Sequence, residues 1–194
     1  MKVAVISDTH AYKINQLSQD LLNTLKQADY IIHLGDFDTR ELVDEFSSWG
    51  NFWGVAGNHD KRDIRSILPD TDVIEINGKK LGLVHGHGCT VPFGLKNGLK
   101  SRFNGTELDA ILYGHTHVTT NIMMSGILYF NPGSACGRFP AYNRSYGLLE
   151  IGDSITGQII PIRESKKRNI GEHIYAMAQE IEPKKLYYRM FSPR

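Results

Sequence analysis

The fold class is decided by the stretch Val3-Ala4-Val5-Ile6-Ser7-Asp8-Thr9-His10 near the start of the chain. An apolar run of this kind predicts a strand that is buried on both faces, as in a parallel sheet. Four further apolar runs also end at polar residues: Tyr30-Ile31-Ile32, Phe52-Trp53-Gly54-Val55, Leu81-Gly82-Leu83-Val84 and Ala110-Ile111-Leu112-Tyr113. Because ligands bind at the carboxyl ends of strands in open α/β sheets, the pattern predicts one site assembled from all of these loops.

Helical periodicity between the first strands indicates an alternating strand–helix core. The apolar stripes comprise Leu17, Leu21, Leu22, Leu25 and Ala28, and then Leu42, Val43 and Phe46. Strands and helices in this order predict a core of parallel strands. Residues 73–76 and 79–84 flank Asn77-Gly78, which predicts a β-hairpin with a type I′ turn.

The chain after His117 is rich in short strands, which are predicted over residues 121–124, 127–130, 146–151 and 158–162. We interpret these strands as a second, largely antiparallel set that packs on the first set. With helices on the outer faces, the expected fold is a mixed α/β, four-layer α/β/β/α sandwich with two packed mixed sheets.

Length and composition predict one domain over residues 1–162 and a basic, partly helical extension over residues 163–194. Apolar residues repeat at helical spacing within this extension: Ile170, Ile174, Met177, Ala178 and Ile181. The extension is expected to dock on the domain or to form a homodimer contact. Binding of nucleic acid is a third interpretation, but the small excess of basic residues in the extension does not favour it.

Charge and hydropathy narrow the class of partners. The formal net charge of +1 gives no general attraction to polyanions. The chain shows no signal-peptide pattern and no apolar stretch long enough to span a bilayer, so we expect a cytoplasmic protein without a membrane partner. Cys89 and Cys136 are expected to be reduced, because two cysteines do not make a disulfide framework.

The residues at the strand ends are of the types that bind metal ions: Asp8, His10, Asp36, Asn58, His85, His115 and His117. Alternation across one residue would let Asp8 and His10 reach one ion from an extended segment. Asp36 has two oxygens and can bridge two ions. Mixed carboxylate, amide and imidazole donors suit Mn²⁺, Fe²⁺, Co²⁺, Ni²⁺ or Zn²⁺ better than Mg²⁺ or Ca²⁺. We expect two divalent transition-metal ions, with Mn²⁺ the first choice.

The motifs in order are Asp8-Thr9-His10, Gly35-Asp36, Gly57-Asn58-His59-Asp60, His85-Gly86-His87 and Gly114-His115-Thr116-His117. This series resembles the calcineurin-like metallophosphoesterase superfamily. The small size, the His-Gly-His stretch and Asn131-Pro132-Gly133-Ser134 are similar to its compact subgroup of bacterial and archaeal phosphodiesterases. The scaffold subunit of the eukaryotic retromer complex is similar to that subgroup too.

The resemblance implies a ligand assignment and a mechanism. It places Asp8, His10, Asp36 and His117 on a first ion, and Asp36, Asn58, His85 and His115 on a second ion. A hydroxide that bridges the ions would attack the phosphorus of a small phosphate-ester substrate. His59, beside Asn58, would face the phosphate and protonate the leaving group or stabilise developing charge. Asp60 would orient His59 or cap the helix that follows.

These features predict a metal-dependent phosphoric ester hydrolase that most favours diesters. The alternatives are a phosphomonoesterase or nucleotide hydrolase, and a non-catalytic protein-binding scaffold of the same fold. Strand register favours His85 over His87 as a ligand, although a β-bulge would reverse that choice. A core or supporting place is expected for His33. Arg138, Phe139, Tyr142 and Arg144 would either hold the non-reacting part of a substrate or pack within their loop.

Overall fold

The fold is described by a computed structural model that covers residues 1–89, 94–137 and 143–163. Its strands are β1 Lys2–Ile6, β2 Tyr30–His33, β3 Phe52–Gly54, β4 Thr71–Ile76, β5 Lys79–Val84, β6 Ala110–Tyr113, β7 Thr120–Met124, β8 Ile127–Asn131, β9 Ser145–Ile151 and β10 Ile155–Pro161. Its helices are α1 Gln19–Gln27, α2 Arg40–Ser48, α3 Arg62–Arg65 and α4 Leu95–Ser101, with a short 3-10 turn at Ile14–Gln16.

The strands form two mixed sheets of five strands each, in the orders β10-β9-β1-β2-β3 and β4-β5-β6-β8-β7. Strands β1, β2 and β3 are parallel, so the predicted strand–helix core is confirmed. The predicted hairpin is also confirmed, since β4 and β5 pair antiparallel. Asn77 and Gly78 both have positive φ, at 52° and 72°, as a type I′ turn requires.

The grouping of the later strands differs from the prediction. The strands after His117 do not form one set: β9 and β10 extend the first sheet, where β9 pairs with β1. Strands β7 and β8 join β4, β5 and β6, and both β5–β6 and β6–β8 are parallel pairs. The prediction was wrong because it placed all the strands after His117 in one set, whereas β1 takes β9 from the far end of the domain as its partner.

Apolar layers on both faces explain why β1 is apolar from Val3 to Ile6. Val3 and Val5 belong to the core between the sheets, together with Leu81, Leu83 and Phe130 of the second sheet. On the opposite face of the strand, Ala4 and Ile6 pack under the first helices. The helix-side cores comprise Leu21, Leu25 and Phe46 with the first sheet, and Leu99 with Ile111 and Tyr129 of the second. The predicted four-layer α/β/β/α sandwich is therefore confirmed.

Candidate metal centre

The polar residues at the strand ends converge in space. Two overlapping groups of donors lie together, and within each group the donor atoms are all within 4.8 Å of one another. The first group contains Asp8, His10 and His117, and the second contains Asp8, Asp36 and His85. These residues follow β1, β2, β5 and β6, so both sheets contribute to one cluster.

The distances link the two groups into a single arrangement. His117 Nε2 lies 3.2 Å from Asp8 Oδ1. Asp36 Oδ2 lies 3.8 Å from His10 Nε2 and 3.4 Å from His85 Nε2, so this carboxylate oxygen is close to a histidine of each group. A carboxylate that is close to both groups can contribute a ligand to each of two cations.

Asn58 and His115 lie on the side of His85. Asn58 Oδ1 is 3.1 Å from His85 Nε2, which places the amide oxygen beside the second donor group. The rings of His85 and His115 have their centroids 5.2 Å apart. His115 also anchors the cluster through its backbone, since its N–H donates to Asp8 Oδ2 at 3.2 Å.

Two imidazoles are oriented by hydrogen bonds at the ring nitrogen that does not face Asp36. His85 Nδ1 donates to the carbonyl of Leu34 at 2.6 Å, and His10 Nδ1 donates to Asp38 Oδ1 at 3.0 Å. The Nε2 atoms of both rings therefore face the Asp36 carboxylate. Metal-binding histidines are oriented in this way, so the donor set and its supports fit divalent transition-metal ions.

Charge in the cluster is balanced between carboxylates and imidazoles. Burial alone would raise the pKa of Asp36, but the hydrogen bond and positive charge of His85 hold this pKa well below its usual value. Burial lowers the pKa of His85, yet Asp36 and Asp8 outweigh burial and raise it. Burial and then the charge of His85 lower the pKa of His115. The cluster thus pairs the ionised Asp36 carboxylate with positive charge, which a bound cation can supply after His85 loses its proton.

The ligand loops have strained backbones that sequence spacing does not reveal. Positive φ angles occur at Asp8 (52°), His10 (43°), Asp36 (62°), His115 (63°) and His117 (56°). The expectation of an extended segment through Asp8 and His10 is therefore wrong. Residues other than glycine rarely adopt this region, and such strain is concentrated at functional sites.

Gly57 is required by close approach to the Asp36 loop. A Cβ at this position would contact the Asp36 backbone nitrogen and carboxylate, with Asp36 Cγ only 2.8 Å away. Only a residue without a side chain lets the two ligand loops meet at this distance.

Asp60 ties the same two loops together. Its Oδ2 accepts from the backbone N–H groups of Gly57 at 2.7 Å and Asp36 at 2.9 Å, and its Oδ1 accepts from Phe37 at 2.7 Å. The expectation that Asp60 orients His59 or caps the following helix is wrong, because its carboxylate is turned toward these N–H groups and Lys61 is the N-cap of α3. Burial raises the pKa of Asp60, and the same three N–H groups oppose that rise.

His59 and His87 border the cluster. His59 is exposed, its ring centroid lies 5.5 Å from that of His10, and its backbone N–H donates to Asp36 Oδ1 at 2.9 Å. His87 is half-buried and its ring lies 5.6 Å from His85, which is fully buried within the donor group. In the described chain, His87 Nδ1 is buried without a hydrogen-bond partner. His85, as predicted from strand register, is thus the ring that points among the donors.

Two residues at the centre were missed or left open by the sequence analysis. Asp38 was missed. The sequence does offer a signal for it, which is a second acidic residue two positions after Asp36. His33 was expected in the core or in a supporting role, and it is fully buried beneath the ligand loops. Arg138, Phe139 and Tyr142 lie outside the described residues, while Arg144 Nε donates to the carbonyl of Ala135 at 3.0 Å within its own loop.

The described part of the chain contains no helix whose length and apolar character would allow it to cross a membrane.

A two-sheet sandwich with carboxylates and imidazoles gathered at its strand ends is the architecture of a metallophosphoesterase. The profile of the calcineurin-like phosphoesterase superfamily domain matches residues 1–154, and the chain belongs to this superfamily.

Curated relatives and solved structures agree with this assignment. A protein of Methanocaldococcus jannaschii named "Probable metallophosphoesterase" is 33% identical over 168 residues, which cover 84% of this chain and 83% of the relative. A phosphodiesterase of the same archaeon is 29% identical over 150 residues, 71% of this chain and 86% of the relative. Wild-type Vps29 of Entamoeba histolytica in complex with zinc superposes with a TM-score of 0.66 and 27% identity, covering 83% of this chain and 99% of Vps29.

Proposed function

We propose that this chain is a dinuclear, metal-dependent phosphodiesterase. The observation that carries the proposal is the pair of overlapping donor groups, with Asp36 Oδ2 within 3.8 Å of His10 Nε2 and within 3.4 Å of His85 Nε2. A single-ion site would not need a second carboxylate–imidazole group within the same cluster. Membership of the phosphoesterase superfamily makes phosphorus the expected centre of attack.

The ligands divide between two positions in this proposal. Asp8, His10, Asp36 and His117 would hold the first ion, and Asp36, Asn58, His85 and His115 would hold the second. Asp8 belongs to both donor groups, but Asp36 is the carboxylate with a histidine of each position beside one oxygen, so we assign the bridge to Asp36. When bound, a pair of divalent cations would polarise the phosphate and make a nucleophile available at neutral pH.

Side chains of this chain would then position the substrate and move a proton. Asn58 and His59 are exposed at the mouth of the cluster, where a phosphate ester can reach them. His59 is held beside His10 by its backbone N–H bond to Asp36. In this place its imidazole donates a proton to the leaving oxygen as the ester bond to phosphorus breaks. The buried Asp36 carboxylate stays ionised, because the hydrogen bond and charge of His85 hold its pKa well below the usual value.

A diester is the substrate class that the relatives support. The phosphodiesterase of Methanocaldococcus jannaschii shares 29% of its residues with this chain over the matched region. Exposure of Asn58 and His59 leaves room for a second ester group on the phosphate.

Mn²⁺ is the proposed metal because the ligand set mixes oxygen and nitrogen donors. We also propose a domain over residues 1–162, an extension over residues 163–194 that docks on the domain or forms a homodimer contact, and a cytoplasmic location. Residues 164–194 of this extension lie outside the described residues.

A protein-binding scaffold of the same fold is the second candidate function, and the likeness to Vps29 supports it. Turnover by metal-loaded protein separates the two. Purified protein would be loaded with Mn²⁺ and assayed with bis-p-nitrophenyl phosphate and p-nitrophenyl phosphate. We expect faster turnover of the diester, and loss of turnover in Asp36→Asn and His85→Gln. Asp44→Asn, at an exposed acid on α2, is the matched control and should behave as wild type.

Three outcomes would count against the proposal. Faster turnover of the monoester would reject the diester preference. Full turnover in Asp36→Asn and His85→Gln would reject the two-metal site. Protein that binds metal tightly but turns over neither ester would favour the scaffold.

A further inference from the structure

A buried hydrogen-bond chain beneath the ligand loops runs from Gly35 through His33 and Thr9 to Asp36. The Gly35 N–H donates to His33 Nδ1 at 3.2 Å, and His33 Nε2 lies 3.0 Å from Thr9 Oγ1. The Thr9 hydroxyl in turn donates to the backbone carbonyl of Asp36 at 3.4 Å. His33 and Thr9 are both buried.

The direction of each bond in this chain follows from chemistry. A backbone N–H can only donate, so His33 Nδ1 is the acceptor and the ring proton sits on Nε2. His33 Nε2 therefore donates to Thr9 Oγ1. The Thr9 hydroxyl is left with its own proton for the Asp36 carbonyl, which can only accept. Every polar atom of His33 is satisfied in its neutral form, and its ring stacks on Phe37 with centroids 3.6 Å apart.

This chain of hydrogen bonds joins the two loops that supply the carboxylates of the cluster. Thr9 lies between Asp8 and His10, whereas the carbonyl that receives its proton belongs to Asp36. Backbone pairing continues between the same loops, since His10 N–H donates to the Asp36 carbonyl at 3.1 Å and Asp8 N–H donates to Gly35 O at 3.0 Å. Asp8, His10 and Asp36 all have positive φ, so their backbones need outside support to keep this conformation.

We infer that His33 and Thr9 are positioning residues that set the spacing between the Asp8–His10 loop and the Asp36 loop, and thereby the spacing of the two metal positions. This inference rests on the proposed dinuclear site. Neither side chain lies among the donors. Both act through the backbones of the loops that carry the donors. The hydroxyl of Thr9 is the link that a substitution can remove without changing size.

The test compares Thr9→Val, which removes the hydroxyl, with Thr9→Ser, which keeps it. Metal affinity is measured by titrating Mn²⁺ into metal-free protein, and the spacing of the ions is followed by the exchange-coupled electron paramagnetic resonance signal of the manganese pair. We expect Thr9→Val to lower the affinity for Mn²⁺ by about 10–100-fold, as is typical when the support of a metal ligand is lost. The coupled signal should weaken, and Thr9→Ser should restore both.

Two further variants complete the design. Thr24→Val is the matched control, because the Thr24 hydroxyl lies 3.0 Å from Tyr146 Oη in a part-buried place on α1. It should leave both readouts unchanged. His33→Asn keeps an acceptor for the Gly35 N–H but does not reach Thr9, so it should weaken metal binding. Adding Thr9→Val to His33→Asn should then cost less than it does in wild type, because the two residues act through one link.

Each outcome has a defined meaning. Wild-type affinity and an unchanged coupled signal in Thr9→Val would overturn the inference while leaving the metal site intact. Failure of the wild-type protein to bind two Mn²⁺ ions would instead overturn the proposed function. If Thr9→Val does not fold, the other two variants carry the test. Lowered metal affinity in Thr9→Ser together with wild-type metal affinity in His33→Asn would then overturn the inference.

Discussion

Replacement of Gly57 by alanine gives a sharp test of the loop geometry at the centre. A Cβ on Gly57 would approach the Asp36 backbone nitrogen and carboxylate, and Asp36 Cγ would lie 2.8 Å from it. Ordinary contacts between such atoms begin near 3.4 Å, and the Asp36 backbone nitrogen and carboxylate oxygen lie closer still than Cγ, so Asp36 or its neighbour must move by about 1 Å or more. Overpacking of this kind costs about 1–3 kcal/mol in stability. Displacement of a ligand by about 1 Å can lower turnover about 100-fold.

The assay pairs Gly57→Ala with Gly152→Ala. An added Cβ at Gly152 meets no atom within 4 Å, so the same chemical change there adds no contact. Thermal unfolding, Mn²⁺ stoichiometry and diester turnover are measured for both variants. We expect Gly57→Ala to lose metal and turnover with a modest fall in melting temperature, while Gly152→Ala matches wild type. Wild-type metal loading and turnover in Gly57→Ala would refute the placement of Asp36 against this glycine.

Three further predictions concern residues within or beside the donor groups. Asp38→Asn removes the carboxylate that holds His10, so a chelator titration should show metal affinity lowered by about 10–100-fold, and unchanged affinity would exclude a supporting role. In metal-free protein the raised pKa of His85 contributes stability that is complete below its unfolded value of 6.5 and is lost as pH rises through the folded value. Unfolding by urea from about pH 5 to pH 8 should show this loss in wild type but not in His85→Gln, and identical profiles would contradict the shift. His59→Gln should bind Mn²⁺ normally but lower kcat for a diester with a poor leaving group by about 100-fold or more, with little effect for a p-nitrophenolate leaving group. Equal losses for both leaving groups would remove proton donation from the role of His59.

The sequence predicted the parts of the molecule that depend on local pattern. Apolar runs that end at polar residues located β1, β2, β3, β5 and β6, because a strand buried on both faces has to be apolar until it leaves the core. The same rule placed the donors at one edge, since parallel strands present their carboxyl ends together. The hairpin followed from Asn77-Gly78, whose residues tolerate the left-handed φ that the turn requires.

The remaining features depend on contacts between distant parts of the chain. The place of β9 beside β1 could not be read from spacing, because strand pairing across this distance leaves no local pattern. The roles of Asp38 and Asp60 depend on where loop backbones turn, and an acid near a motif looks alike whether it binds metal, orients a ring or accepts N–H groups. The positive φ at Asp8 and His10 is likewise a product of the folded loops.

The central position of β1 has a consequence for how the chain is made. Its neighbours are β2, which is synthesised soon after it, and β9, which is synthesised much later. Until β9 emerges, one row of backbone N–H and C=O groups on β1 has no neighbour within the domain. An open strand edge of this kind can join that of another unfinished chain. A nascent polypeptide arrested before residue 145 would therefore be prone to aggregation, with the aspartate-bearing loop of β1 already exposed to metal.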